Sequence, residues 1–278
     1  MSAETDVSAP TTVRPSTGRV VGSLAAAWLV VEAKWTWYRK GWRATIGSSV
    51  LMPLLFLIAL GYGFGTQVKS GAATDGMRYV VYLAPALLAS SAVQNAASES
   101  TFPILAGFKW QKIYWGISAT PISPARIAAG ELLWISMRVF ISGAVYLLIA
   151  VLLGAMAGAG VVLALLFATL CGMSLAAPLV AFSATIEREG QQFNNIFRFL
   201  VLPMTLFAGT FFPVASLPVY LRPIAWLTPL WHGTELTRAA VFGRMQLWPV
   251  LGHTAYLLAL FAAGAWFAAR VFRRRLGV

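Results

Sequence analysis

The stretch GAGVVLALLFATLCGMSLAAPLVAFSAT, residues 158–185, decides the fold class. It carries no charged side chain, and its apolar residues do not alternate with polar ones. A helix that is apolar all round belongs in a large core or in lipid. This one exceeds the roughly 20 residues needed to cross a hydrocarbon core. Five further runs are similar, at about 44–64, 78–98, 128–152, 196–212 and 247–270. Helix formers fill them, and none shows the period of two that marks the strand of an outer-membrane barrel. The whole chain agrees: 59% of its 278 residues are hydrophobic and 11% charged, against about a quarter charged in a soluble domain. The expectation is an all-α integral membrane protein with six transmembrane helices.

Charge sets the orientation. The formal net charge is +12, which raises nucleic acid as a partner, but the basic residues lie at the ends of the apolar runs. With the N-terminus inside, the inner segments hold Lys34, Arg39, Lys40, Arg43, Lys109, Lys112 and Arg270 through Arg275, while the outer ones hold only Lys69, Arg78, Arg222, Arg238 and Arg244. Cytoplasmic loops favour Lys and Arg, so both termini are expected in the cytoplasm of a multi-pass protein of the bacterial inner membrane. The charge is then read as an orientation signal and a contact for anionic lipids, with no nucleic-acid partner. Glu4, Asp6 and Arg14 and the lack of an apolar core argue against a cleavable leader.

Residues 1–17 read as a disordered cytoplasmic tail. Over 18–43, Val21, Leu24, Trp28, Val31, Trp35, Tyr38 and Trp42 recur at steps of three and four, which predicts one apolar helical face. Tryptophans with basic residues describe a helix lying in the membrane interface; a helix packed on a soluble partner is the alternative. Residues 44–278 form the transmembrane domain. In the second run Ser91, Gln94, Asn95 and Ser98 share a face, which serves either interhelical hydrogen bonding or a polar path. Glu131 and Arg138 sit inside the third run, near enough to the inner surface for a structural role. Prolines 53, 85, 178 and 203 predict kinked spans.

Two loops stand out. Residues 99–126 hold Phe102, Phe108, Trp110, Tyr114 and Trp115 among Lys109 and Lys112, then Pro121 and Pro124; they predict a short amphipathic helix and a turn. Residues 213–246 are apolar but broken by Pro213, Pro218, Pro223 and Pro229. They cannot form one span, and short helices dipping into the outer leaflet fit them. His232 and Glu235 stand three apart, which predicts a hydrogen-bonded pair more readily than a metal or proton site. His253 is expected to pack against neighbours. Cys171 is the one cysteine, so neither a disulfide framework nor a thiolate metal site is open to the chain. Gly61, Gly63 and Gly65 follow no strand and precede no Gly-Lys-Ser/Thr, so they read as a helix end and not a nucleotide loop.

The stretches Tyr82-Leu-Ala-Pro-Ala-Leu-Leu-Ala-Ser-Ser91, Glu99-Ser-Thr-Phe102, Ala106-Gly-Phe-Lys-Trp-Gln111, Ala119-Thr-Pro-Ile-Ser-Pro124, Gly130-Glu-Leu-Leu-Trp134 and Phe211-Phe-Pro213 through His232 carry a resemblance. The chain resembles the ABC-2 type exporter permeases, nearest to the nodulation-factor (lipo-oligosaccharide) exporter permease family, over most of residues 20–275. The resemblance implies two permease chains, identical or paralogous, docked on two separate ATPase subunits. ATP and magnesium would be held by those partners, with no cofactor and no metal on this chain. It also implies a cytoplasmic coupling helix at 99–116, with Glu99, Phe102, Phe108, Lys109, Trp110 and Lys112 as coupling residues, and a re-entrant outer hairpin between the fifth and sixth spans. Trp28, Trp35 and Trp42 would mark the interfacial helix. Ser91, Gln94, Asn95 and Ser98, with Asn194, Asn195 and Thr205 of the fifth span, would line the path of an exported amphiphile such as a glycolipid, a lipid-linked saccharide or a hydrophobic drug. A polytopic membrane enzyme and a secondary transporter remain as other classes; the first lacks a cluster of acids, bases or metal ligands, the second clear midplane charges and repeats.

Overall fold

The computed structural model describes residues 22–68, 71, 74 and 76–277; the side chains of 42–46 and 48 lie outside that description, as does the segment 1–17. Every regular element among the described residues is helical. In chain order they are α1 (Ser23–Tyr38), α2 (Trp42–Phe56), α3 (Tyr79–Ser100), α4 (Phe102–Lys109), α5 (Ile113–Ser118), α6 (Pro124–Leu152), α7 (Gly160–Ser183), α8 (Gln191–Ile196), α9 (Leu202–Phe207), α10 (Arg222–Leu227), α11 (Pro229–Val241) and α12 (Leu247–Arg275). By length and composition five helices can cross a membrane: Ser49–Thr66, Tyr79–Lys109, Pro124–Leu152, Gly160–Ser183 and Leu247–Arg275.

The fifth apolar run, at 196–212, behaves differently. It folds as α8, a π turn at Phe197–Val201 and α9. Pro203 explains the π turn, because a proline ring collides with the carbonyl four residues earlier, here Phe199. A second π turn, Leu57–Gly63, follows Pro53 and α2. Pro85 and Pro178 lie inside continuous α-helices. The backbone of α12 at Gly264 lies so close to the Pro178 ring that no side chain fits there.

The core is the packing of α3 and α7 against each other, with α6, α11 and α12 around them. Small residues make this possible: Ala84, Ala86, Ala89, Ala92, Ala96 and Ala97 of α3 and Ala164, Ala168, Ala176 and Ala177 of α7 are buried, as expected where helices pack without a hydrophobic drive from water. The outward faces of α6, α7 and α12 expose apolar side chains around the bundle, including Leu148, Leu152, Val162, Leu166, Trp266 and Phe267.

Contacts sort the connections into two ends. At one end Phe108 of α4 meets Phe272 of α12, and Phe102 meets Phe193 of α8. At the other, the Tyr79 hydroxyl donates to the Phe211 carbonyl at 3.0 Å, Tyr62 donates to Leu153, and the start of α7 at Gly160 touches the Ala240 carbonyl of α11. Between those ends α11 is not a surface loop. It lies against α7, α3 and α12, with Gly233 pressed on Cys171. The four prolines break 213–246 into short helices as the sequence predicts, but Arg238, expected in an outer segment, is buried. Its guanidinium lies 3.8 Å over the Tyr82 ring and donates to the Thr210 carbonyl at 3.2 Å.

A candidate coupling platform and polar face

At the end holding α4 and α5, the predicted single amphipathic helix is two helices in a hairpin. α3 stops at Thr101, whose φ of −107° and ψ of −99° break the helix while its hydroxyl bonds back to the Ala97 carbonyl at 3.0 Å. Pro103 then starts α4, where a missing N–H costs nothing. Lys112 makes the turn to α5 with a left-handed φ of 52°, a conformation uncommon outside glycine. The hairpin closes because Gly107 has no side chain; the Tyr114 ring occupies that space.

Phe108 is the centre of this assembly. It is 3% exposed, in edge-to-face contact with Tyr114 at 4.6 Å and Phe272 at 4.9 Å. Arg275 covers it at 4.2 Å and donates to the Ala184 carbonyl at 2.7 Å. Burial, and then the nearby Glu131 carboxylate, hold the Tyr114 phenol well above its ordinary pKa. The resemblance named Phe108 among the coupling residues; the structure buries it as the anchor of the hairpin. Lys109 pairs with Glu189 of the α7–α8 loop at 2.7 Å. Phe102 packs edge-on against Phe193 at 4.9 Å yet keeps an exposed side. Trp110 is 53% exposed, and Lys112, Ile113 and Trp115 are exposed beside it. The hairpin therefore presents a basic and aromatic outer surface on a rigid base.

Glu99 does not reach that surface. Its carboxylate accepts from Arg138 of α6 at 2.7 Å, and Arg138 also covers the Tyr38 ring at 4.4 Å. Lys34 of α1 forms an ion pair with the fully buried Glu131. The two charges inside the third span thus have structural partners, and the partners come from α1 and α3. The inner half of α1 is clamped to α6 by these pairs, by Tyr38 against Trp134 at 5.4 Å, and by Gly130. A Cβ on Gly130 would stand 2.6 Å from Val30.

The predicted apolar stripe of α1 divides between two faces. Val31 and Tyr38 turn towards α6 beside Ala26, Ala27 and Val30, whereas Leu24, Trp28 and Trp35 face outward with Trp37. The Trp42 side chain lies outside the described residues.

The polar residues of the second and fifth runs lie on α3, α8 and α9. Gln94 and Ser98 of α3 and Asn194 and Asn195 of α8 are exposed, Asn95 and Thr205 partly so. Gln94 donates to Ser90 at 3.1 Å, and Ser98 and Thr205 donate to their own helix carbonyls at 2.9 and 2.8 Å. Ser91 is buried and bonds to Leu88 O at 2.9 Å, so it packs and does not join the open face.

Far from there, His232 meets His253, with the two Nδ1 atoms 2.7 Å apart. Its Nε2 stands 3.0 Å from the Trp226 carbonyl, and Trp231 and Tyr256 enclose the pair. Desolvation, and then His253, push the His232 pKa down to about 4. Among the described residues no three His, Cys, Asp or Glu gather as a metal site. The His232–His253 contact was out of reach of sequence reasoning, because nothing in the spacing links α11 to α12.

Comparison with known proteins meets this geometry. Residues 26–242 match the model of the ABC-2 type transporter family. Nodulation protein J of Sinorhizobium fredii is 29% identical over 74% of this chain and 78% of its own. That of Bradyrhizobium diazoefficiens is 29% identical over 86% and 89%. A probable multidrug ABC transporter permease of Escherichia coli is 29% identical over 38% of this chain and 28% of its own. The matched region runs from the clamp of α1 on α6, through the α4–α5 hairpin, to the end of α11. With five helices able to span a membrane and a family match over most of its length, this multi-pass membrane protein belongs to the ABC-2 type transporter family.

Proposed function

We propose that the chain is the permease subunit of an ATP-driven exporter that moves an amphiphile out of the cytoplasm or inner leaflet, with ATP and magnesium on a separate ATPase subunit. The observation that carries this is the α4–α5 hairpin. It offers Phe102, Trp110 and Lys112 outward while Phe108, Tyr114, Phe272 and Arg275 fix it to the last span. A push on such a platform passes to α12 and, through the Lys109–Glu189 pair, to the α7–α8 loop, because packed elements transmit strain. The six-crossing topology is supported by the two-ended arrangement: α8 begins beside α4 and the chain beyond α9 reaches Tyr79. Both termini are then cytoplasmic in an inner membrane, α1 lies in its interface with Trp28, Trp35 and Trp37 towards lipid, and α10 and α11 form the re-entrant outer hairpin. Gln94, Ser98, Asn194 and Asn195 with the exposed Phe199 and Leu202 give the surface where a second permease chain and the substrate path would meet. The relatives named for nodulation and for multidrug transport both favour an amphiphilic cargo such as a glycolipid or a hydrophobic drug.

The test is Trp110→Ala. This variant should insert and melt like the parent, yet lose most of the stimulation that the permease gives a co-purifying ATPase. Export with full coupling from Trp110→Ala would remove the hairpin from that role.

A further inference from the structure

Halfway along the bundle, a crevice of about 510 Å³ opens between α6, α7 and α12. Met137 and Phe140 of α6, Leu170 and Met173 of α7, and Leu258 and Phe261 of α12 line it. Backbone contacts fix its walls. A Cβ on Gly143 of α6 would stand 2.8 Å from Leu165 of α7, and one on Gly264 of α12 would stand 2.4 Å from the Pro178 ring of α7. Both outer helices are thus held on α7, and the crevice is a preformed gap that their side chains leave unfilled. The lining holds no charged side chain and only two hydroxyls, those of Ser136 and Thr169. The second is spent on the Leu165 carbonyl at 2.8 Å.

Height decides what fills it. At 1.5 Å per residue, its α6 and α12 walls lie at least about 16 Å from either end of these 29-residue helices. That is the middle of a hydrocarbon core about 30 Å thick, where water is absent. Phe140, Leu166 and Leu258 of the lining are exposed, so the crevice opens outward. An unfilled apolar gap forfeits the dispersion contacts of its lining, so hydrocarbon enters. A neighbouring helix would only cap it: over the two turns from Leu166 to Met173 a helix about 10 Å across displaces on the order of 800 Å³, more than the crevice holds. We infer that the crevice seats one acyl chain of a bilayer phospholipid, as a wedge between α6 and α12. The inference rests on the membrane-spanning class of the chain and not on export, so it is measured with no ATPase and no transport.

The full chain is reconstituted in phosphatidylcholine–phosphatidylglycerol vesicles containing a trace of phosphatidylcholine with a diazirine near the end of one acyl chain. After illumination, the labelled residues are mapped by peptide mass spectrometry. Ala259 and Ala262 of α12 are exposed at the same height as the crevice and report ordinary boundary lipid. Met173 is buried and Leu170 half-buried, so boundary lipid alone would label them less. A chain walled by three helices leaves more slowly than one at an open face, and labelling at Leu170 and Met173 should exceed that at Ala259 and Ala262 by at least about fivefold. Ser136→Phe fills the crevice from α6 and should lower the Leu170 and Met173 labelling by a similar factor. Unchanged labelling at Ala259 and Ala262 shows that the variant is inserted and folded; Ser136→Leu, a smaller filling, should give an intermediate loss. Labelling that follows exposure alone would reduce the crevice to boundary lipid. An unlabelled crevice beside labelled Ala259 and Ala262 would mean that protein covers it, as a second copy would. Met173 labelling that survives both Ser136 variants would put the chain elsewhere. Each of these three results overturns the assignment.

Discussion

Replacing Phe108 by Ala removes a ring held between Tyr114 and Phe272 and under Arg275. A buried Phe→Ala change costs about 3–5 kcal/mol. The edge-to-face pairs with Tyr114 and Phe272 place it towards the upper half of that range, since such pairs add about 0.5–1.5 kcal/mol beyond area alone. A destabilisation of 1 kcal/mol shifts the melting temperature of a chain of this length by roughly 2–4 °C, so about 8–20 °C should be lost. Fluorescence-detected size exclusion after heating in detergent reads this directly. Trp110→Ala, two residues on and half exposed, is the matched control and should move the melt by no more than about 2 °C. If Phe108→Ala melted with the parent while Trp110→Ala fell, the hairpin would have to be inverted, with Phe108 outward and Trp110 in the core.

Two further outcomes follow from close packing and from the histidine pair. Gly160→Ala sets a methyl group against the Ala240 carbonyl and should cost about 1–3 kcal/mol or more; Gly252→Ala, with open space around it in the second turn of α12, should be neutral or slightly stabilising in the same melt. His232 has a folded pKa lowered to about 4 from 6.5, by desolvation and then by His253. The opened state therefore binds protons first, and the His232–His253 contact weakens as pH falls from about 6.5 towards 4. Trp226 and Trp231 emission should change over that window and stay flat in His232→Gln; an identical pH profile in that variant would rule His232 out as the cause.

The membrane class was legible because it needs only composition and run length. Residues 158–185 and 247–270 could be nothing but spans, and α7 and α12 cover them. Element ends inside the loop at 99–126 were less legible. Thr101, Pro103 and the left-handed Lys112 split it in a way that depends on where the Tyr114 ring lands, and Gly107 reads as an ordinary small residue until that ring is placed. Phe108 was named for coupling on a resemblance, which says nothing of its burial; spacing cannot show that Phe272, from the far end of the chain, covers it. The partners of Glu131 and Arg138 were hidden for the same reason. A charge in a span announces that it needs a partner, but not that Lys34 and Glu99 provide it. Arg238 was counted as outer from the number of spans, which says nothing of its burial; only the insertion of α11 against α3 brings Tyr82 beneath it.

The stacking of Phe272 and Arg275 on the α4–α5 hairpin also has a consequence for biosynthesis. Spans two to four can associate as soon as they leave the translocation machinery, since their contacts are close in sequence. The hairpin cannot, because two of its supports are synthesised long after it. Until they arrive, an aromatic, basic segment waits at one end of the bundle with its inner face uncovered, which is the kind of exposed apolar surface that chaperones and proteases recognise. A ribosome that stops before residue 272 would leave a membrane-inserted but unfinished chain, marked for removal by the same segment that the completed chain folds away.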